Sequence, residues 1–205
     1  RQSKEKNLIR WTSLVSTLVT MVLTVFLYLG FDNSIAGMQP SFSVKVPWIE
    51  QFNIFYSLGV DGISLPMILL TSLLCFLCVL SSWTVEKSLK AYFSLFLMLE
   101  CSVMGVFMAL DFFLFYVFWE VMLIPMFFLI GVWGGENREY AAIKFFLYTF
   151  AGSVLMLVGM IALYFLSGKN VDSFNILALQ GGKFSNEVLN IFGATISFSK
   201  FFFIM

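Results

Sequence analysis

The chain has 205 residues, 60% of them hydrophobic and only 12% charged, and its 12 basic and 12 acidic residues cancel. Soluble globular domains carry about 25% charged residues, so this composition excludes one and points to an all-α polytopic membrane protein, read as a single membrane domain over 1–205. With no basic surplus there is no footing for nucleic acid or for a polybasic lipid anchor. No histidine is present, which removes the commonest metal and haem ligand and the usual proton shuttle near neutral pH.

A basic, polar opening, Arg1 to Arg10, precedes a first span at about 11–30. Leu14 to Leu29 lacks a small-residue cleavage site and is long enough to cross a ~30 Å hydrocarbon core, so it reads as a span and not a cleaved signal. Residues 31–57, with Asp32, Pro40, Lys45, Pro47 and Glu50, read as a non-spanning loop. The second span, about 60–82, opens on LGVDGISLPM, where Asp61 resembles a helix start whose carboxylate satisfies first-turn N–H groups. Inside it Cys75 and Cys78 form a C-x-x-C with no second pair, read as two small hydrophobes and not a redox or zinc site. On this reading the chain itself holds no redox cofactor and no metal.

A charged link (Glu86, Lys87, Lys90) leads to a third span, about 91–110, and Asp111 marks a tight reversal into a fourth at about 112–133. After the polar turn 134–139 comes a fifth span, about 140–166. The tail from Gly168 to Ser199 reads as short surface helices, and a further apolar run starts near 200–205. Because Arg1 is not an initiator methionine and the chain stops as that run begins, an internal fragment with five complete spans and the start of a sixth is expected. Lys and Arg set the orientation. The side carrying the N-terminus collects Arg1, Lys4, Lys6, Arg10, Lys87, Lys90 and Arg138, and the other collects Lys45, Lys169, Lys183 and Lys200, which favours the N-terminus inside.

Three charges interrupt the apolar runs: Glu100, Glu120 and Lys144, one on each of three successive spans. A carboxylate at the centre of such a helix costs roughly 2.5–3.5 kcal/mol on insertion scales, so it normally faces other helices or water and marks a functional site. Short links make these spans antiparallel neighbours, so an acid–base contact or a shared water file is expected among the three. Tyr116, four residues before Glu120, lies on the same helix face and can donate to it. Pro125 lacks an N–H, which frees the Val121 carbonyl one residue past the glutamate. On the next span Lys144, Tyr148 and Gly152 form a polar, small-residue stripe suited to an interior, hydrated seam. Each charge has a reading beside proton transfer: a structural ion pair for Glu120, snorkelling to the interface for Lys144, and for Glu100, mid-helix with no local motif around it, no functional role.

The stretch FWEVMLIPMFFLIGVWGG, followed by R-x-Y-A-A-I-K-F-F-L-Y-T and G-S-V-L-M-L, resembles the chain M (chain 4) family of antiporter-like subunits of proton-pumping NADH:quinone oxidoreductase, respiratory complex I. LGVDGISLPMILLT and GVFMALDFFLFY match in the same order, and the likeness is strongest from Leu58 to Leu163. The resemblance implies helices two to six of a larger membrane-arm subunit of a bacterial or mitochondrial inner membrane. It implies a proton-translocating role with no redox chemistry in this chain. NADH, FMN, iron–sulfur clusters and quinone would then reside in partner subunits, and other membrane-arm subunits and the bilayer would be the partners. The glutamate matching Glu120 is the family's key membrane carboxylate, paired with a lysine on a later helix that the chain does not include. Lys144 is not that partner lysine by motif, and Glu100 occurs in some relatives of the family without belonging to its core pattern. The rivals are a subunit of a related cation/proton antiporter or membrane-bound hydrogenase, and a scaffold whose buried charges only lock packing.

Overall fold

A computed structural model describes residues 2–32, 34, 37–166, 174–176, 188–191 and 194–197. Five long helices dominate: α1 (Gln2–Leu29), α2 (Ser64–Ser81), α3 (Leu89–Met108), α4 (Phe112–Trp133) and α5 (Arg138–Leu166). All five are long and apolar enough to cross a membrane, and the chain is an integral, multi-pass membrane protein. Each helix packs against the next in sequence, and α1 also touches α3.

The spans agree with the sequence reading to within a few residues, apart from the first. There the polar opening is itself helical, so α1 begins at Gln2 and not near 11. No Gly or Pro interrupts residues 2–29, and Lys, Glu, Gln and Arg are good helix formers. At 1.5 Å per residue its 28 residues extend about 42 Å, well beyond a ~30 Å core. The surplus lies at the end where Arg10 Nη2 donates to the Val85 carbonyl at 3.1 Å. Trp11 packs edge-on to Trp83 on the same rim, and Trp133 donates its indole N–H to the Lys87 carbonyl at 2.8 Å. These rings form the aromatic belt expected where helices leave hydrocarbon.

The start of α2 is capped as the sequence indicates. Asp61 Oδ1 accepts from the backbone N–H groups of Ile63 (3.1 Å) and Ser64 (2.7 Å), and Ser64 Oγ accepts from Asp61 N–H at 2.9 Å. This reciprocal pair satisfies donors that have no intrahelical partner.

The opposite rim departs from expectation. Residues 31–57 are not simply loop: β1 (Val44–Ile49) and β2 (Ile54–Leu58) form an antiparallel hairpin, with Val46 opposite Tyr56 and an irregularity between Pro47 and Ile49. Pro47 argues against a strand in the sequence, yet an edge strand tolerates it. Backbone pairing continues beyond the hairpin. Leu110 N–H donates to the Ser57 carbonyl and Gly59 N–H to the Met108 carbonyl, while Ile176 N–H donates to the Leu110 carbonyl and Phe112 N–H to the Phe174 carbonyl. The link 109–111 is thus an extended segment held from both sides. In the tail, β3 (Val188–Ile191) pairs with β4 (Ala194–Ser197), a hairpin where short surface helices were expected; the aliphatic and β-branched residues of VLNI and ATIS favour strand. The expected sixth helix at 200–205 lies outside the described residues.

The α3–α4 contact turns on Gly105. A Cβ there would collide with the Phe118 ring of α4. Gly105→Ala is therefore expected to destabilise the pair by about 1–3 kcal/mol, the usual cost of overpacking. Adding Phe118→Leu should recover part of that loss in a thermal-shift assay of the detergent-solubilised protein.

Candidate functional site

Helix α4 carries Glu120 at its centre because its 22 residues are otherwise so apolar that only lipid or neighbouring helices can surround them. Glu120 is half-buried, and its Oε1 is fully buried with no hydrogen-bond partner among the described residues. Tyr116, one turn earlier, interacts with both Glu120 and Ser153 of α5. Ser153 is buried and donates to the Phe150 carbonyl at 2.9 Å. Pro125 is buried inside α4, so the Val121 carbonyl has no helical N–H. Together these groups make a short polar seam between α4 and α5, closed around by apolar side chains.

The other two charges do not join this seam. Lys144 is exposed on α5, its Nζ 5.7 Å from the Tyr140 ring centre, and among the described residues no ion pair connects it to Glu100 or Glu120. Tyr148 and Gly152 are exposed as well. The stripe read as an interior seam therefore faces away from α4. The inward face of α5 is the line Ala142, Ser153 and Met160, all buried, and at 3.6 residues per turn Lys144 lies roughly 200° around the helix from Ala142. Glu100 is buried on α3 and turns the other way, toward α1, where its carboxyl meets the Thr20 hydroxyl. The expected contact between an acid and Lys144 is thus absent among the described residues.

Two features escaped the sequence reading. On α1, Ser13, Thr17 and Thr24 are buried, and Thr24 Oγ1 lies 2.8 Å from Ser72 Oγ of α2. With Ser16 and Thr20 they form a hydroxyl stripe whose signal was the spacing 13, 16, 17, 20, 24. The second is Asp111, which does more than mark a reversal. It is almost fully buried, and its carboxylate accepts from Phe113 N–H (3.0 Å) and Leu114 N–H (3.2 Å) as the N-cap of α4, and from Phe55 N–H (3.2 Å) of β2.

Burial pushes the Asp111 carboxyl above its ordinary value of 3.8, against the opposing pull of those three N–H groups and of Lys45. The folded state then binds this proton more tightly than the unfolded state does. Its contribution to stability is fully present below about 3.8 and is lost as pH rises through the higher folded value. Against Asp111→Asn, which does not titrate, the wild-type chain should lose stability over that window. Paired thermal-shift curves across the acid range would show it, since the other carboxyls cancel in the difference.

A protein-family model described as "NADH:quinone oxidoreductase/Mrp antiporter, TM" matches residues 109–204. The chain is 50% identical over 159 residues to NADH-quinone oxidoreductase subunit M of Rhodobacter capsulatus, an alignment covering 78% of this chain and 30% of that one. It is 41% identical over 180 residues to F(420)H(2) dehydrogenase subunit M of Methanosarcina mazei, covering 86% and 36%. Among solved structures, respiratory complex I from Thermus thermophilus with bound NADH contains a chain that superposes with a TM-score of 0.69 at 28% identity, covering 78% of this chain and 32% of that one. The chain has the fold of the antiporter-like membrane subunits. It spans about a third of the length of these relatives. Within this antiporter-like chain, the matched family region begins at the link that carries Asp111 and takes in the whole Glu120 helix and α5.

Proposed function

We propose that this chain forms part of a proton-translocating membrane-arm subunit of an NADH:quinone oxidoreductase, and that Glu120 is its proton-transfer group. One observation carries the reading: a carboxyl at the centre of a spanning helix has one oxygen fully buried and unpartnered, and a phenol beside it. A group so placed costs insertion energy that a purely structural role leaves uncompensated. Tyr116, itself in contact with Ser153, can hold one carboxyl oxygen in place while the other takes and yields the proton. The Val121 carbonyl freed by Pro125 gives a water a place one residue further along. The pair is completed by a lysine from the remaining length of the subunit, as the family resemblance implies; Lys144 is too exposed and too far around α5 to serve. NADH, FMN, iron–sulfur clusters and quinone belong to partner subunits in this reading, and electron transfer there would alter the electrostatics or hydration around Glu120.

The test is Glu120→Gln in the intact complex in sealed vesicles, scored for donor-driven acidification and for assembly. Suppressed pumping with assembly retained is expected. Normal pumping by an assembled variant would falsify the transfer role, and failure to assemble would favour the scaffold. The family description also names an antiporter of the Mrp type, and one relative at 41% identity is named for a different electron donor. Cation dependence of the pH gradient with no donor present would identify the exchanger alternative.

A further inference from the structure

Glu100 and its surroundings do not belong to the Glu120 seam, yet they are built in the same way. Its carboxyl is almost completely buried, Oε1 has no hydrogen-bond partner among the described residues, and the other side of the group meets Thr20 of α1. It lines a cavity of about 500 Å³ between α1 and α3, with the hydroxyls of Ser16, Thr20, Thr24 and Tyr56 also in its lining and Phe118 forming a wall. Tyr56 lies on β2, partly exposed at the hairpin rim, so the cavity runs from that rim to the level of Glu100. Glu100 is eight residues from the rim end of α3 at Met108, a depth of about 12 Å.

Among the described residues no cation compensates this carboxyl. From its own helix Cys101 lines the cavity, from α2 the Cys75 thiol lies within reach of the Glu100 charge, from the hairpin Tyr56 lines the cavity, and α1 offers only hydroxyls. An ionised carboxylate so enclosed would be an uncompensated charge, and such a group is neutralised by a proton or solvated by water. Water is able to stay where two to four polar partners are available, and Glu100, Thr20 and Ser16 supply three. We propose that Glu100 is a second proton-exchange site, separate from Glu120, which equilibrates with bulk water through the cavity that opens at the hairpin rim. A merely structural Glu100–Thr20 contact between α1 and α3 would need neither the unpartnered oxygen nor the water path.

Two measurements on the intact complex test this, and neither reads pumping, so their outcome is independent of the role assigned to Glu120. In a background carrying C75S, C78S and C101S, E100C should react with a charged, membrane-impermeant methanethiosulfonate added from the hairpin rim, and L77C on the outward face of α2 should not. E100C reacting no faster than L77C overturns the water path, including the case of a lipid-filled groove. In the wild-type complex a lipophilic carbodiimide, which attacks protonated carboxyls, should leave an N-acylurea on Glu100 whose yield falls as pH rises. No adduct at any pH at which the complex stays assembled, or a yield that ignores pH, overturns proton exchange.

Discussion

Asp111→Ala is expected to cost the fold roughly 3–5 kcal/mol, the largest stability effect of any single side chain in this bundle. One carboxylate satisfies three N–H groups from two elements, and truncation deprives all of them at once. Loss of an N-cap alone costs about 0.5–2 kcal/mol, and each buried donor left without a partner adds about 1–3 kcal/mol. Partial rescue by water at the rim keeps the total below the full sum. Asp111→Asn should cost only about 1–2 kcal/mol, because its carbonyl oxygen still caps α4 and only the bond to Phe55 N–H is lost. The expected order of thermal midpoints is wild type, then Asn, then Ala, with proteolysis of residues 44–58 rising in parallel. An alanine variant as stable as the wild type would mean that the junction is held by backbone pairing alone.

The largest functional effect belongs to the Glu120 series. Positioned proton transfer contributes about a hundredfold or more to a rate, so Glu120→Gln should lower donor-driven proton translocation by about that factor. Glu120→Asp keeps a titratable carboxyl but draws it back by about 1.5 Å, one carbon–carbon bond. Its separation from Tyr116 grows, and an intermediate loss is expected, about tenfold, or about 1.4 kcal/mol. Tyr116→Phe removes one donor and leaves the acid, so its effect should fall below that of Glu120→Asp. Equal rates for the Asp and Gln variants would show that neither the charge nor the proton of a carboxyl at this position is by itself what the site uses.

The elements that lipid dictates were the legible ones. A spanning segment must satisfy its backbone internally, so hydropathy alone placed α4 at residues 112–133, the bounds that the structure shows. The Glu120–Tyr116 pairing was readable too, since both residues lie on one helix and their spacing fixes their relation. What escaped depends on partners distant in sequence. The hairpin is secured by the link 109–111, more than fifty residues away, and Pro47 disguised its first strand. The rotation of α5 escaped for another reason: the helix is apolar on nearly every side, so its own sequence does not choose the face that meets α4. Lys144 looked like an interior charge along the chain and is an outward one in space.

Glu100 and Glu120 lie eight residues from the ends of α3 and α4 that meet at the link 109–111. Both carboxyls therefore sit at the same depth, about 12 Å inside the hairpin rim. A proton exchanged between them would travel parallel to the membrane plane and do no work against the transmembrane voltage. A proton delivered from the hairpin rim to either one crosses about two fifths of a ~30 Å core, about 0.9 kcal/mol per 100 mV. The remaining three fifths lie toward the N-terminal rim, and Pro125 stands at the start of that stretch, five residues past Glu120. Most of the electrical work of any transfer through this bundle falls on the half of α4 that contains Pro125.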